Sequence, residues 1–286
     1  MPSLFSDFVR PNVPCIIKNA ISSDTDGYSR PLRLTLDDII RHVGEDTILT
    51  VDVTPDGHGD CIRSVVDMKN ESEKPKRRRM FVKPHEKRMD IKTFRDLLRR
   101  GHRDKTTNTE SFDSNGLGEF TLRRHSDAGI ENCDTESFFN GIGHPPVVYY
   151  SKQNDCLRTE VAKLFSAQIF PDTFSFAEEA FGTGPPDAIN LWIGNERAVS
   201  SMHKDHYENL FYVCSGQKEF VLCPPADALF LHEDIFFIGT FCTSRSQCTD
   251  REPEDQHCPS WVVVADDKQD DAKTMHIKQN GSNPTY

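Results

Sequence analysis

Residues 187–225 read DAINLWIGNERAVSSMHKDHYENLFYVCSGQKEFVLCPP, and their pattern decides the fold class. Ala188–Ile193 is strand-like. Leu210–Val213 and Glu219–Leu222 are two further apolar runs, joined by Ser215-Gly216-Gln217-Lys218, whose glycine suits a hairpin loop. Pro224-Pro225 stops the second run. The pattern predicts antiparallel β-sheet in which a polar loop, Ser200–Glu208, leads into a hairpin. Inside that loop stands His203-Lys204-Asp205. On an extended chain the side chains at i and i+2 share a face, so an imidazole and a carboxylate so placed can grip one metal ion from one side. With a second, distant histidine they would make the facial triad that holds Fe(II) and leaves positions open.

His-x-Asp alone carries little weight, because five copies occur: His58-Gly59-Asp60, His102-Arg103-Asp104, His125-Ser126-Asp127, His203-Lys204-Asp205 and His232-Glu233-Asp234. The first follows a Pro-Asp-Gly turn. The second and third fall in a low-complexity stretch, and the second resembles a kinase catalytic triplet without the glycine-rich loop that should accompany it. Only His203 is followed, fifteen residues on, by a lysine at a hairpin, Lys218. A 2-oxo acid chelating a metal needs a cation beyond it for its far carboxylate, and Lys218 on a neighbouring strand suits that role. His58, His102 and His125 are expected to lie outside such a pocket. A solvated polar loop, a solvated lysine and a core aromatic remain the bland alternatives for His203, Lys218 and Tyr149.

The stretch around SSMHKDHYENLFYVCSGQKEFVLCPP resembles the JmjC (Jumonji C) branch of the Fe(II)- and 2-oxoglutarate-dependent oxygenases, and within it the protein lysyl hydroxylases. Supporting stretches are RPNVPCIIKNA (10–20), TVDVTPDGHGDCIR (50–63) and VVYYSKQ (147–153), so that the resemblance covers roughly 1–100 and 147–235. It implies a mainly β, α+β chain built on a cupin-like double-stranded β-helix with flanking helices. It implies Fe(II) held by His203 and Asp205, and 2-oxoglutarate as co-substrate held by Lys218, Ser200 and Tyr149, with Asn209 nearby. It implies hydroxylation of a lysine on a protein or peptide; histone N-methyl-lysine demethylation is the alternative within the family. The family pattern also carries a late histidine in a stretch like Gly-Glu-x-Leu-Tyr-Leu-Pro-x-x-Trp-x-His, and nothing similar follows Pro225. The expectation is therefore a β-helix incomplete at its C-terminus, as a truncated gene model or a splice form, with a truncated non-catalytic JmjC-like isoform as the alternative function and His232 and His276 as substitute ligands to test.

Outward from the motif, residues 1–100 read as the N-terminal part of the fold. Pro14–Ala20 predicts a strand. Leu36–Val43 predicts a helix capped by Thr35, and Ile91–Leu98 one capped by Asp90. Thr47–Thr54 alternates like a strand and stops at Pro55-Asp56-Gly57. Lys74-Pro75-Lys76-Arg77-Arg78-Arg79 is a basic run, read as a solvated loop, with a nuclear localisation signal or phosphate patch as alternatives. From Gly101 to about Gly143, Thr, Asn, Ser, Asp, Gly and Glu dominate, so 101–146 is expected to be a disordered insertion. Val147–Tyr150 predicts a strand, with helical turns around 157–168 and 173–181. Residues 147–264 form the cupin-like core on this reading, and 265–286 a frayed tail.

Composition fits this frame. The chain has 286 residues, 34 Lys and Arg against 45 Asp and Glu, and a formal net charge of -11. That balance argues against direct nucleic-acid binding and suits a basic partner, such as a Lys- or Arg-rich peptide. No apolar run is long enough to span a membrane, and the N-terminus lacks a secretory signal pattern. Nine cysteines, odd in number and without a Cys-x-x-Cys pair, point to a reducing compartment, cytoplasm or nucleus. Cys242, Cys248, His257 and Cys258 cluster, but their spacing matches no zinc module, and thiols in an irregular tail are the simpler reading.

Overall fold

The computed structural model describes residues 4–18, 20, 33–67, 75–103, 120–123, 146–167, 169, 173–182, 184–231, 233–244, 260–265 and 274–277. Helix α1 (Leu36–Val43) begins as its sequence directs. The Thr35 hydroxyl accepts from the Asp38 N–H at 3.2 Å, and the Asp38 carboxylate accepts from the Thr35 N–H at 2.9 Å, a reciprocal cap. Its inner face, Ile39, Ile40 and Val43, is buried. Helix α2 (Ile91–Arg103) is started by Asp90, whose carboxylate accepts from the Thr93 N–H at 2.8 Å.

Both helices join a core on a three-stranded antiparallel sheet, β5 (His85–Asp90), β1 (Ile48–Thr54) and β7 (Val147–Tyr149), with β1 in the middle. Leu49, Val51 and Val53 alternate inward from β1 and are fully buried, with Phe94 of α2 and Leu164 of the short helix α3 (Ala162–Ser166) in the same cluster. Helix α4 (Ser175–Phe181) follows. Among the described residues, no helix is long and apolar enough to cross a membrane.

A second sheet closes on itself. Its order is β10 (Ser260–Ala265), β6 (Phe120–Arg123), β3 (Cys61–Asp67), β4 (Lys76–Lys83) and β9 (Glu233–Ser244), and β9 pairs back onto β10. Inside it lie Val65, Met80, Val82, Phe241 and Val263. Phe241 meets Phe120 and Trp261 edge to face, with centroids 5.0 and 5.9 Å away. Gly239 permits the close approach of β10, since a Cβ there would stand 2.6 Å from Val263 Cγ1. Strand β11 (Thr274–Ile277) pairs with the start of β9, and a two-residue parallel ladder joins β2 (His58–Gly59) to β8 (Val199–Ser200).

Several expectations change. Pro14–Ala20 forms no strand over its described residues, and Ile16 is 90% exposed; no ladder offers this segment a partner. The basic run 76–79 is not a loop: it extends β4, hydrogen-bonded along β3, with Arg79 over the Phe236 ring at 5.2 Å and Arg78 3.6 Å from Asp67. Within the stretch expected to be disordered, residues 101–103 continue α2 and 120–123 form β6, because burial of Phe120 against Phe241 overrides a weak local pattern; residues 104–119 and 124–145 lie outside the described residues. Cys242 lies in β9 rather than in an irregular tail, whereas Cys248, His257 and Cys258 lie outside the described residues. Of the expected frayed tail, Thr274–Ile277 is the strand β11.

The motif region differs most. Ala188–Ile193 contributes a single bridge, Ile193 to Tyr150, and Leu210–Val213 and Glu219–Leu222 are not ladder strands. Phe211 and Phe220 nevertheless touch, with centroids 4.7 Å apart, so the two runs lie side by side as a hairpin would place them. A strand is defined by its ladder, and no described strand runs along either side of this pair.

Candidate active site

Tyr149 ends β7 opposite Asp52 of β1, and the next residue, Tyr150, exchanges backbone hydrogen bonds of 2.9 Å with Ile193. That bridge lays Gly194 against the Tyr149 ring. Gly194 is required there, because a Cβ would stand 2.7 Å from Tyr149 Cδ2. Ser200, at the end of β8, hydrogen-bonds the Tyr149 hydroxyl, and the Lys218 ammonium stands 5.6 Å from the centre of the Tyr149 ring. Burial raises the Tyr149 pKa above the ordinary phenol value, so the ring keeps its O–H. The cluster thus offers two hydroxyls and an ammonium, a donor set suited to a carboxylate.

His203 stands three residues beyond Ser200, so their Cα atoms are at most ~11 Å apart. Its Nδ1 lies 2.6 Å from the Ser201 carbonyl, which requires the proton on Nδ1 and leaves the Nε2 lone pair available. Nε2 faces Asp205 Oδ1 at 3.5 Å, and Asn209 Nδ2 donates to Asp205 Oδ2 at 3.2 Å. An imidazole nitrogen and a carboxylate oxygen therefore point at one another, each oriented by a further partner. Both side chains are about half exposed, 47% and 51%. Tyr149, Ser200 and Lys218 come together as one group, and His203, Asp205 and Asn209 as another a few residues along the same loop.

Among the described residues, no group of three or more His, Cys, Asp or Glu side chains could hold a metal. His232 and His257 lie outside the described residues, and His276 sits on β11 opposite Asp234. The His203–Asp205 pair supplies two donors. His58, expected far away, is brought by β2 alongside Val199, but its Nδ1 turns to Asp56 at 3.5 Å. His102 and His125 carry no described side chain.

Sequence reading passed over one neighbour of this loop. Asp60, at φ +49, is exposed, and its carboxylate is close enough to Lys83 and His203 to interact with both electrostatically. Its triplet, His58-Gly59-Asp60, reads as a chance His-x-Asp; only the β2–β8 ladder brings it to the loop. Along the two apolar runs that follow the loop, Phe211 stacks on Trp192 at 5.7 Å, and Leu210, Val213, Val221 and Leu222 are exposed.

Comparison with known proteins adds to the geometry. The model of the cupin-like domain family matches residues 2–284. The chain is 30% identical over 240 residues to the Homo sapiens "Bifunctional peptidase and (3S)-lysyl hydroxylase JMJD7", covering 83% of this chain and 55% of the relative. It is 28% identical over 268 residues to the Dictyostelium discoideum "JmjC domain-containing protein E", covering 91% of this chain and 62% of the relative. It is 51% identical over 81 residues to the Arabidopsis thaliana "Lysine-specific demethylase JMJ32", covering 28% of this chain and 23% of the relative. The chain thus spans little more than half the length of the first two. With its closed β-sheet and flanking helices, the chain belongs to the cupin-like domain family, and its relatives there are JmjC proteins.

Proposed function

We propose that the protein is an Fe(II)- and 2-oxoglutarate-dependent oxygenase that hydroxylates a lysine side chain of a protein. One observation carries the reading: Tyr149, Ser200 and Lys218 come together as a group of hydroxyls and an ammonium at the start of the loop that bears His203 and Asp205. The donor chemistry fits Fe(II), since an imidazole and a carboxylate are two members of the facial set, and a third donor would complete it. When bound, Fe(II) and 2-oxoglutarate supply, with O2, the oxidation of an unactivated C–H bond.

The chain's own residues have narrower tasks. Lys218 would pair with the distal carboxylate of 2-oxoglutarate, with the hydrogen-bonded Tyr149 and Ser200 hydroxyls supplying a further O–H donor to it. The Ser201 carbonyl holds the His203 ring in the tautomer with Nε2 free, and Asn209 turns the Asp205 carboxylate toward it. An acidic chain, with Asp60 close to His203, favours approach of a cationic lysine. The relatives' printed names include a lysyl hydroxylase and a lysine-specific demethylase, so both a lysine peptide and its N-methylated form belong in the test.

The experiment is succinate release by the chain with Fe(II), 2-oxoglutarate and lysine peptides, followed by mass spectrometry. With only the two donors His203 and Asp205 among the described residues, turnover is expected to be low, and a gain of one oxygen atom on lysine, lost in His203→Ala and Asp205→Ala, is the product that identifies hydroxylation. Loss of a methyl group from the methylated peptide alone would assign demethylation. Failure of Mn(II), as a silent substitute for Fe(II), to bind in a His203-dependent way would sink the reading.

A further inference from the structure

We propose that the buried Arg63–Asp56 pair is a positioning pair for the candidate active site: it locks the 55–59 turn and, through the β2–β8 ladder, sets where Ser200 and the His203–Asp205 loop stand. Arg63 points inward from β3 and is fully buried, with its guanidinium carbon 5.6 and 5.7 Å from the ring centres of Phe120 and Phe241. Its Nη2 donates to both Asp56 carboxylate oxygens at 2.7 Å. A buried ion pair is a poor device for stability alone, because desolvation consumes most of its attraction and apolar side chains of similar volume often serve as well. What such a pair does supply is a fixed geometry at its far end.

That end is the turn. Asp56 Oδ1 also accepts from the His58 N–H at 3.0 Å, and Thr54 Oγ1 accepts from the Gly57 N–H at 2.9 Å. Burial opposes the charge on Asp56, but the His58 hydrogen bond and the Arg63 guanidinium outweigh it and hold the carboxyl down at about 2. The Gly57 carbonyl accepts from the Val199 N–H at 2.9 Å, and the ladder continues with His58 opposite Val199 and Gly59 opposite Ser200. Among the described residues, β8 has no other strand partner. Beyond the ladder, the Ser201 hydroxyl reaches the Gly59 carbonyl at 3.5 Å, and the Ser201 carbonyl holds His203. A continuous chain of bonded groups therefore runs from Arg63 to the His203 ring. The roles given to Ser200 and His203 rest on the oxygenase reading; the mechanical link from Arg63 to the loop does not.

The test uses the full chain as Asp56→Asn and Arg63→Lys, with hydrogen–deuterium exchange read separately over residues 197–205 and over β1. Expected in Asp56→Asn is exchange ~10-fold faster over 197–205 with β1 unchanged, and a smaller effect in Arg63→Lys, which keeps a cation near Asp56. Expected alongside it is ~10-fold weaker binding of Mn(II) with 2-oxoglutarate in Asp56→Asn, partly recovered in Arg63→Lys. Unchanged protection over 197–205 in the folded variants overturns the proposal. So does equal acceleration in β1, which would mark the pair as merely structural, and so does a loosened loop that binds as tightly as before. If Asp56→Asn does not fold, Arg63→Lys decides by the same criteria. Selective loosening in a protein whose wild type binds neither Mn(II) nor 2-oxoglutarate would leave the positioning pair standing and remove the oxygenase reading instead.

Discussion

Replacing Asp52 by asparagine should stabilise this protein, and only above a definable pH. Asp52 sits in the central strand β1, between Glu86 of β5 and Tyr149 of β7, and accepts a hydrogen bond from the Ser151 hydroxyl. Burial is the main cause that raises its pKa from 3.8 to about 6; the Ser151 hydrogen bond opposes the rise, and the nearby Asp60 and Glu86 add to it. The unfolded chain releases this proton near pH 4, the folded chain near pH 6. Between those values the folded state holds more protons, so the contribution of Asp52 to stability falls as pH rises through the window. Each tenfold change in acid dissociation is ~1.4 kcal/mol, and the displacement to about 6 therefore costs at most ~3 kcal/mol once the group is ionised. The asparagine side chain has the same shape, would still accept from Ser151 and never ionises. Urea unfolding of Asp52→Asn, followed by circular dichroism from pH 4 to pH 8, should show no difference near pH 4 and a variant more stable by ~2–3 kcal/mol above pH 7. A difference independent of pH, or a variant less stable at pH 7, would refute the reasoning.

Other outcomes follow from single contacts. Lys218→Ala should weaken 2-oxoglutarate binding ~10-fold or more in calorimetry while Mn(II) affinity holds, because it removes the carboxylate's partner and not a metal ligand. Gly57→Ala should cost ~2–3 kcal/mol in urea unfolding, since φ is +99° and the new Cβ would collide with the Arg197 carbonyl oxygen. Phe241→Ala should cost ~3–5 kcal/mol by the same assay, as it empties a fully buried position between Phe120 and Trp261.

Local rules in the sequence settled the elements whose causes are local. Thr35 and Asp38 cap α1, Asp90 starts α2, and the alternation of 47–54 ends at Pro55-Asp56-Gly57, because a cap or a turn needs only residues a few positions apart. The resemblance carried by 200–218 is legible in the same way, since it lies in one continuous run. Tertiary structure alone decided the rest. Phe120–Arg123 becomes β6 through burial against a strand more than a hundred residues away, and the basic run 76–79 becomes part of β4 because β3 offers it a ladder. Conversely, Leu210–Val213 and Glu219–Leu222 have strong strand composition but no ladder among the described residues, since pairing depends on a neighbour that composition does not supply. The same holds for Asp56, Asp60 and Arg63: they look like turn and strand residues anywhere, and only the parallel pairing of His58–Gly59 with Val199–Ser200 brings Asp60 near His203 and ties the Arg63–Asp56 pair to the same loop.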